Sequence, residues 1–166
     1  MEPMTATVRI AGDYVDVWVP TQSQTDTTVD VGAVLGVPAE NVTVHSMLCG
    51  GGFGRRSYGD FAVQAALIAQ AAGGAVKLIW SREEDVRHDP YRTAMSGSYR
   101  GALDANGKLT AVEANIVGPS LAESFNMPAT VDPMMHAVGV TGDAYTIPDL
   151  KASYQGADRG LPVGIS

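Results

Sequence analysis

The chain has little of what usually fixes a protein's chemistry or compartment. One cysteine, Cys49, among 166 residues excludes an internal disulfide. The histidines, His45, His88 and His136, are too scattered to form a zinc site. Positive charge is also scarce: 11 basic against 18 acidic residues give a net charge of -7. Because nucleic-acid phosphates would be repelled by such a surface, we predict no nucleic-acid partner.

Long hydrophobic runs are missing as well. The longest candidate, residues 61–72, is interrupted by Gln64 and Gln70 and is too short to cross a bilayer. What is present is a globular composition, with 45% hydrophobic and 17% charged residues. A chain of this length is about one domain and is large enough to bury a core.

The most informative segment is the glycine loop, Gly50–Gly54, which is followed by Arg55 and Arg56. Glycines leave the backbone bare, so its N–H groups can approach a large ligand. A phosphate-binding P-loop would need Lys and then Ser or Thr after the last glycine, and a dinucleotide fingerprint would need a third glycine where Arg55 stands. Both readings fail. A structural turn in which Phe53 fills the core remains open.

The flanking segments favour a ligand site. An alternating, strand-like run over 41–47 precedes the loop, and an alanine-rich helix over 60–72, ended by Gly73, follows it. A strand, a glycine loop and a helix N-terminus in this order are typical of anion sites. Two arginines at the rim of the loop would suit phosphate or carboxylate.

The remaining pattern predicts an α+β fold with an antiparallel or mixed sheet around this strand–glycine loop–helix unit. We expect a helix over 23–35, with Thr21 or Ser23 as its cap and Gly36 as its stop, and a helical turn opened by a capping box at Ser81. A loop over 118–133 and a short helix over 132–138 are also expected. The predicted strands and hairpins cover 5–10 with 14–19, 76–80, 92–103 with 108–117, and 151–157.

Several motifs together resemble the large, molybdenum-binding subunit of the xanthine dehydrogenase and aldehyde oxidase family. The double arginine and the N-terminal segment 1–4 further resemble the isoquinoline 1-oxidoreductase and membrane-associated aldehyde dehydrogenase branch. In chain order the motifs are Thr21-Gln22, Leu35–Pro38, Gly50–Gly54, Ser81–Asp85 and Thr146–Asp149.

The resemblance implies a molybdenum cofactor-binding domain that binds molybdopterin, in its cytosine dinucleotide form, with molybdenum. In the family the pterin's own sulfurs hold the metal, so no metal ligand is expected here. No catalytic side chain is expected either. The implied cofactor-binding residues are Gln22, Gly51, Gly52, Phe53, Gly54, Arg55 and Arg56.

The resemblance also implies an oxidoreductase that oxidises aldehydes or hydroxylates N-heteroaromatic compounds with oxygen derived from water. Ser57 stands where xanthine-oxidising members carry a substrate-orienting glutamate, which disfavours purines. The implied partner is a small iron-sulfur subunit with 2Fe-2S clusters. Two alternatives stay open: a non-enzymatic module that binds an anion or nucleotide through the glycine loop, and a structural scaffold.

The family's catalytic base, a glutamate near the end of a much longer subunit, has no counterpart here. We therefore expect residues 1–166 to be a single partial domain, an internal fragment of a longer molybdopterin-binding subunit. In isolation it should be inactive and hold no cofactor, and it should be able to self-associate through the exposed cofactor face. The N-terminus has no signal-peptide pattern. For a fragment, this leaves the bacterial cytoplasm and periplasm both open.

Overall fold

A computed structural model describes residues 2–122, 145–157 and 160–164. The chain forms two compact units, one up to Asp89 and one from Pro90 onward. That 1–166 is a single partial domain stays a prediction. Within the described segments, no helix is long and apolar enough to cross a membrane.

The first unit contains a four-stranded mixed sheet. The predicted hairpin is confirmed: β1 (Thr5–Ala11) and β2 (Tyr14–Val19) pair antiparallel, with Gly12 at φ 62° in the turn between them. β3 (Val42–Ser46) runs parallel to β2, and β4 (Val76–Ile79) runs antiparallel to β1. The strand order is β3-β2-β1-β4. The end of β2 and the end of β3 therefore lie side by side.

The described residues of the first unit form three α-helices: α1 (Gln24–Leu35), α2 (Asp60–Ala72) and α3 (Arg82–His88). As predicted, Gly36 and Gly73 end the first two, both in the left-handed conformation that a side chain would disfavour. The predicted cap of α3 is confirmed, because the Ser81 hydroxyl accepts the Glu84 N–H at 3.2 Å. Ser23 occupies the cap position of α1, but its hydroxyl donates to the Asp26 carboxylate and makes no capping bond to a backbone N–H.

The core of the first unit lies between one face of the sheet and the helices α1 and α2. Alternate residues of β1 and β2 face it, as period-two strands require. α2 contributes the Phe61 ring and four alanines to the core, and because alanines are small the helix and the sheet approach closely. Burying each valine contributes about 1.5 to 3 kcal/mol. The buried core residues include Val8, Val15, Val17, Val19, Val31, Phe61, Ala62, Ala65, Ala66 and Ala69.

The second unit is built on a three-stranded sheet in the order β6-β7-β8. β6 (Ser96–Leu103) and β7 (Leu109–Gly118) form the predicted hairpin around Asn106-Gly107, and β8 (Asp149–Gly156) lies parallel to β7. A second strand pair was not predicted from the sequence: β5 (Tyr91–Arg92) pairs in parallel with β9 (Val163–Gly164).

The predicted strand from residue 92 therefore begins at Ser96 instead, since Tyr91 and Arg92 belong to the separate pair. The predicted helix over 132–138 lies outside the described residues, as does the predicted loop beyond residue 122. Sheets in both units and helices grouped in the first confirm the α+β class.

Candidate functional site

The glycine loop lies between β3 and α2, which confirms the predicted strand–glycine loop–helix unit. Gly51 and Gly54 have φ of 105° and 89°, values that residues with a side chain rarely adopt. Phe53 has φ 51°, and among the described residues it is the one non-glycine residue with positive φ. Such a conformation costs about 1 to 3 kcal/mol and persists only where the surroundings enforce it.

Side chains from distant segments anchor both ends of the loop. The Gly50 N–H donates to the Glu2 carboxylate at 2.9 Å, and the Gly54 N–H donates to the Gln22 carboxamide oxygen at 3.1 Å. Between these anchors, the N–H groups of Gly51, Gly52 and Phe53 have no hydrogen-bond partner in the described part of the chain. Successive free donors on a fixed backbone are suited to binding an oxygen-rich anion.

Gln22 lies directly against the loop; that it contacts a cofactor stays a prediction. It follows β2 and precedes α1, and its backbone N–H donates to the Arg56 carbonyl at 2.9 Å. A Cβ added at Gly52 would overlap the Gln22 carboxamide. The glycine at position 52 thus makes room for the side chain that holds Gly54.

The Phe53 ring lies at the surface, with 71% of the residue exposed. This contradicts the alternative in which Phe53 fills the core. Leu48, on the same connection, is fully exposed, and Met47 is half exposed. The loop therefore combines free backbone donors with an apolar surface.

Arg55 is buried, with 1% of its side chain exposed. Its guanidinium donates twice to Asp60, at 2.9 and 2.8 Å, and once to Asp89, at 2.6 Å. The rings of Tyr58 and Trp80 lie within cation–π range. Desolvation alone would lower the pKa of Arg55, but the bonds to Asp60 and Asp89 outweigh it, so the pKa is raised and the charge is fixed.

Arg56 is fully buried and donates to main-chain carbonyls as well as to a carboxylate. Its acceptors are the carbonyls of Pro20 and Glu2, both at 3.2 Å, the Pro3 carbonyl at 3.5 Å, and the Glu2 carboxylate at 3.1 Å. Exposed charges were expected at the rim of the loop; the structure corrects this, because both guanidinium groups lie in the interior with partners of their own. That Arg55 and Arg56 contact a cofactor stays a prediction.

Glu2 is a site residue that the sequence did not single out. It lies 48 positions from Gly50, and its only signal was its place in the N-terminal segment that resembles one branch of the family. In the described residues, no group of three His, Cys, Asp or Glu side chains is arranged to hold a metal ion.

The strain at Phe53 yields a stability prediction. Phe53→Gly should be about 1 kcal/mol more stable than Phe53→Ala, because alanine keeps the left-handed penalty and glycine does not. Both variants remove the same exposed ring, so the comparison isolates the backbone. The midpoint of urea unfolding of the 166-residue chain measures the difference. An alanine variant as stable as the glycine variant would show that position 53 carries no such strain.

Comparisons with known proteins identify the family of the chain. A family model described as the molybdopterin cofactor-binding domain matches residues 1–159. The chain is 33% identical over 155 residues to the isoquinoline 1-oxidoreductase subunit beta of Brevundimonas diminuta. The matched region covers 89% of this chain and 20% of that relative. It is 32% identical over 113 residues to the aldehyde oxidoreductase molybdenum-binding subunit of Escherichia coli K12, and this match covers 68% of this chain and 15% of that subunit.

Solved structures share the fold. The aldehyde oxidoreductase of Desulfovibrio gigas superposes with a TM-score of 0.74 and 15% identity over 99% of this chain and 18% of its own. Quinoline 2-oxidoreductase from Pseudomonas putida gives a TM-score of 0.62 and 21% identity over 72% of this chain and 16% of its own. The chain thus spans a fifth or less of the length of these proteins.

Proposed function

The chain belongs to the molybdopterin cofactor-binding domain family, and on that premise we propose that its glycine loop holds the molybdenum cofactor of a molybdenum-dependent oxidoreductase. The observation that carries the proposal is the run of free N–H groups at Gly51, Gly52 and Phe53 between the anchors at Gly50 and Gly54.

The donor chemistry fits the cofactor. The molybdenum cofactor presents oxo, pterin and phosphate oxygens, all of them acceptors, and backbone N–H groups can bind them without offering a reactive side chain. When bound, the cofactor supplies the two-electron redox chemistry and the transfer of a water-derived oxygen. The chain's own residues bind and orient it: Gly51, Gly52 and Phe53 by their main chain, and Gln22 by fixing Gly54.

Arg55 and Arg56 contribute to the proposed site through main-chain hydrogen bonds that fix the loop, while their buried side chains hold them in place. The Arg55 N–H donates to the Gly52 carbonyl at 3.0 Å, which closes the turn at Gly52. The Arg56 carbonyl accepts both the Gln22 N–H at 2.9 Å and the Thr21 hydroxyl at 3.1 Å. Arg55 therefore closes the loop on itself, and Arg56 ties the loop to the segment that carries Gln22.

For the whole protein we propose oxidation of aldehydes or hydroxylation of N-heteroaromatic compounds. The names of the relatives, an isoquinoline oxidoreductase and an aldehyde oxidoreductase, support these substrate classes. The exposed Phe53 ring also supports them, because an aromatic face packs well against a flat heterocycle. A 2Fe-2S partner subunit, the cytosine dinucleotide form of the cofactor and a bacterial cytoplasmic or periplasmic location complete the proposal. The family match does not favour a separate anion-binding module or a scaffold.

The test is the molybdenum content, and the nucleotide released by acid, of the native full-length protein that contains this chain, purified with its partners. We expect near-stoichiometric molybdenum together with CMP. Molybdenum without CMP would overturn the dinucleotide form alone. A pure, folded protein with neither would overturn the cofactor site.

A further inference from the structure

Glu2 links a buried arginine to the glycine loop. One carboxylate oxygen accepts from Arg56 Nη2 at 3.1 Å, and the other accepts the Gly50 N–H at 2.9 Å. We propose that Glu2 is a positioning residue for the glycine loop, held by Arg56 and in turn holding Gly50. The positioning is a property of this chain, whereas its consequence for cofactor binding rests on the proposed function.

Arg56 is a rigid support for this link. Its side chain is fully buried, and Nη1 is bound to the Pro20 carbonyl at 3.2 Å. Its own carbonyl is held by the Gln22 N–H and the Thr21 hydroxyl. Because both the main chain and the side chain are fixed, Arg56 gives the Glu2 carboxylate a defined position, although 40% of the Glu2 side chain is exposed. Charge-assisted bonds of this kind are stronger than neutral ones.

The link accounts for the glycine at position 50. Unlike Gly51 and Gly54, Gly50 does not have a positive φ, so the backbone conformation alone does not require glycine there. A Cβ added at Gly50 would lie 2.5 Å from the Glu2 carboxylate oxygen. The absent side chain lets the carboxylate reach the backbone N–H.

Glu2 and Gln22 flank the free donors of the glycine loop. Glu2 holds the loop at Gly50 and Gln22 holds it at Gly54, and the free N–H groups of Gly51, Gly52 and Phe53 lie between them. Both holding side chains trace back to Arg56, one through its guanidinium and the other through its carbonyl. Arg56 is thus the common support of both ends of the loop.

The experiment compares Glu2→Ala and Glu2→Gln with the control Glu40→Ala in the full-length protein that contains this chain. Glu40 is an exposed glutamate in the 3₁₀ turn Ala39–Asn41. Hydrogen exchange with short labelling times is measured at single-residue resolution for the amides of the loop and of α2, along with molybdenum content. We expect Glu2→Ala to raise exchange at Gly50 about tenfold, as the loss of one charge-assisted bond predicts. Glu2→Gln should fall between, and Glu40→Ala should match the wild type.

We expect molybdenum content to fall in the same order as exchange at Gly50 rises, with exchange in α2 unchanged. Wild-type exchange at Gly50 in Glu2→Ala would overturn the positioning role. Equal increases in the loop and in α2 would also overturn it, because they would show a general loss of stability. A wild-type protein without molybdenum would instead refute the proposed function, and the exchange data would still decide the role of Glu2.

Discussion

Replacing Arg55 with methionine should lower the free energy of unfolding of the first unit by about 3 kcal/mol. The guanidinium is buried, and its removal deletes three hydrogen bonds to carboxylates and two contacts with aromatic rings. Asp60 and Asp89 keep 42% and 27% of their side chains exposed, so water partly replaces the lost partner. That places the loss at the lower end of the range for breaking a buried pair.

Arg9→Met is the matched control. Arg9 also pairs with an aspartate, Asp16, and also lies over a tryptophan ring, that of Trp18, but its side chain is 57% exposed. An exposed pair is worth less than about 1 kcal/mol. Urea unfolding followed by tryptophan fluorescence reports the first unit, because both tryptophans, Trp18 and Trp80, lie in it. Similar small losses in both variants would contradict the role given to Arg55.

Local patterns were sufficient to predict much of the first unit. β-branched residues marked β1, alternating valines marked β2, and the alanine-rich period with Gly73 at its end marked α2 over its observed bounds, Asp60–Ala72. These signals arise within one element, where side-chain period and glycine conformation act directly on the backbone. The strand–glycine loop–helix unit was predictable for the same reason.

The placement of the arginines was not predictable locally. Two adjacent arginines after a glycine loop are typical of an exposed anion site. One of the two carboxylates that hold Arg55 in the interior belongs to Asp89, which is 34 residues away. Glu2 is 54 residues from Arg56. The β5–β9 pair joins two-residue strands more than 70 positions apart, too short for any period to appear. Contacts between distant segments leave no periodic signal in the sequence.

Gly52→Val should weaken cofactor binding at least about tenfold, a loss of about 1.4 kcal/mol or more, and so lower the molybdenum content of the full-length protein. A Cβ at position 52 overlaps the Gln22 carboxamide, which releases Gly54, and the added side chain also lies beside the free N–H groups. Gly74→Val is the control, because Gly74 follows α2, has open space around a Cβ and does not have a positive φ. It should retain its molybdenum.

A double variant separates the two roles of Gly52. Gln22→Ala removes the carboxamide that a Cβ at position 52 would meet, so Gly52→Ala then causes no overlap with it. If Gly52 serves only to seat Gln22, the double variant should retain as much molybdenum as Gln22→Ala alone. We expect it to retain less, because a side chain among the free N–H groups of the loop also obstructs the close approach of the cofactor. Equal molybdenum contents would restrict Gly52 to seating Gln22 and remove it from the cofactor contacts.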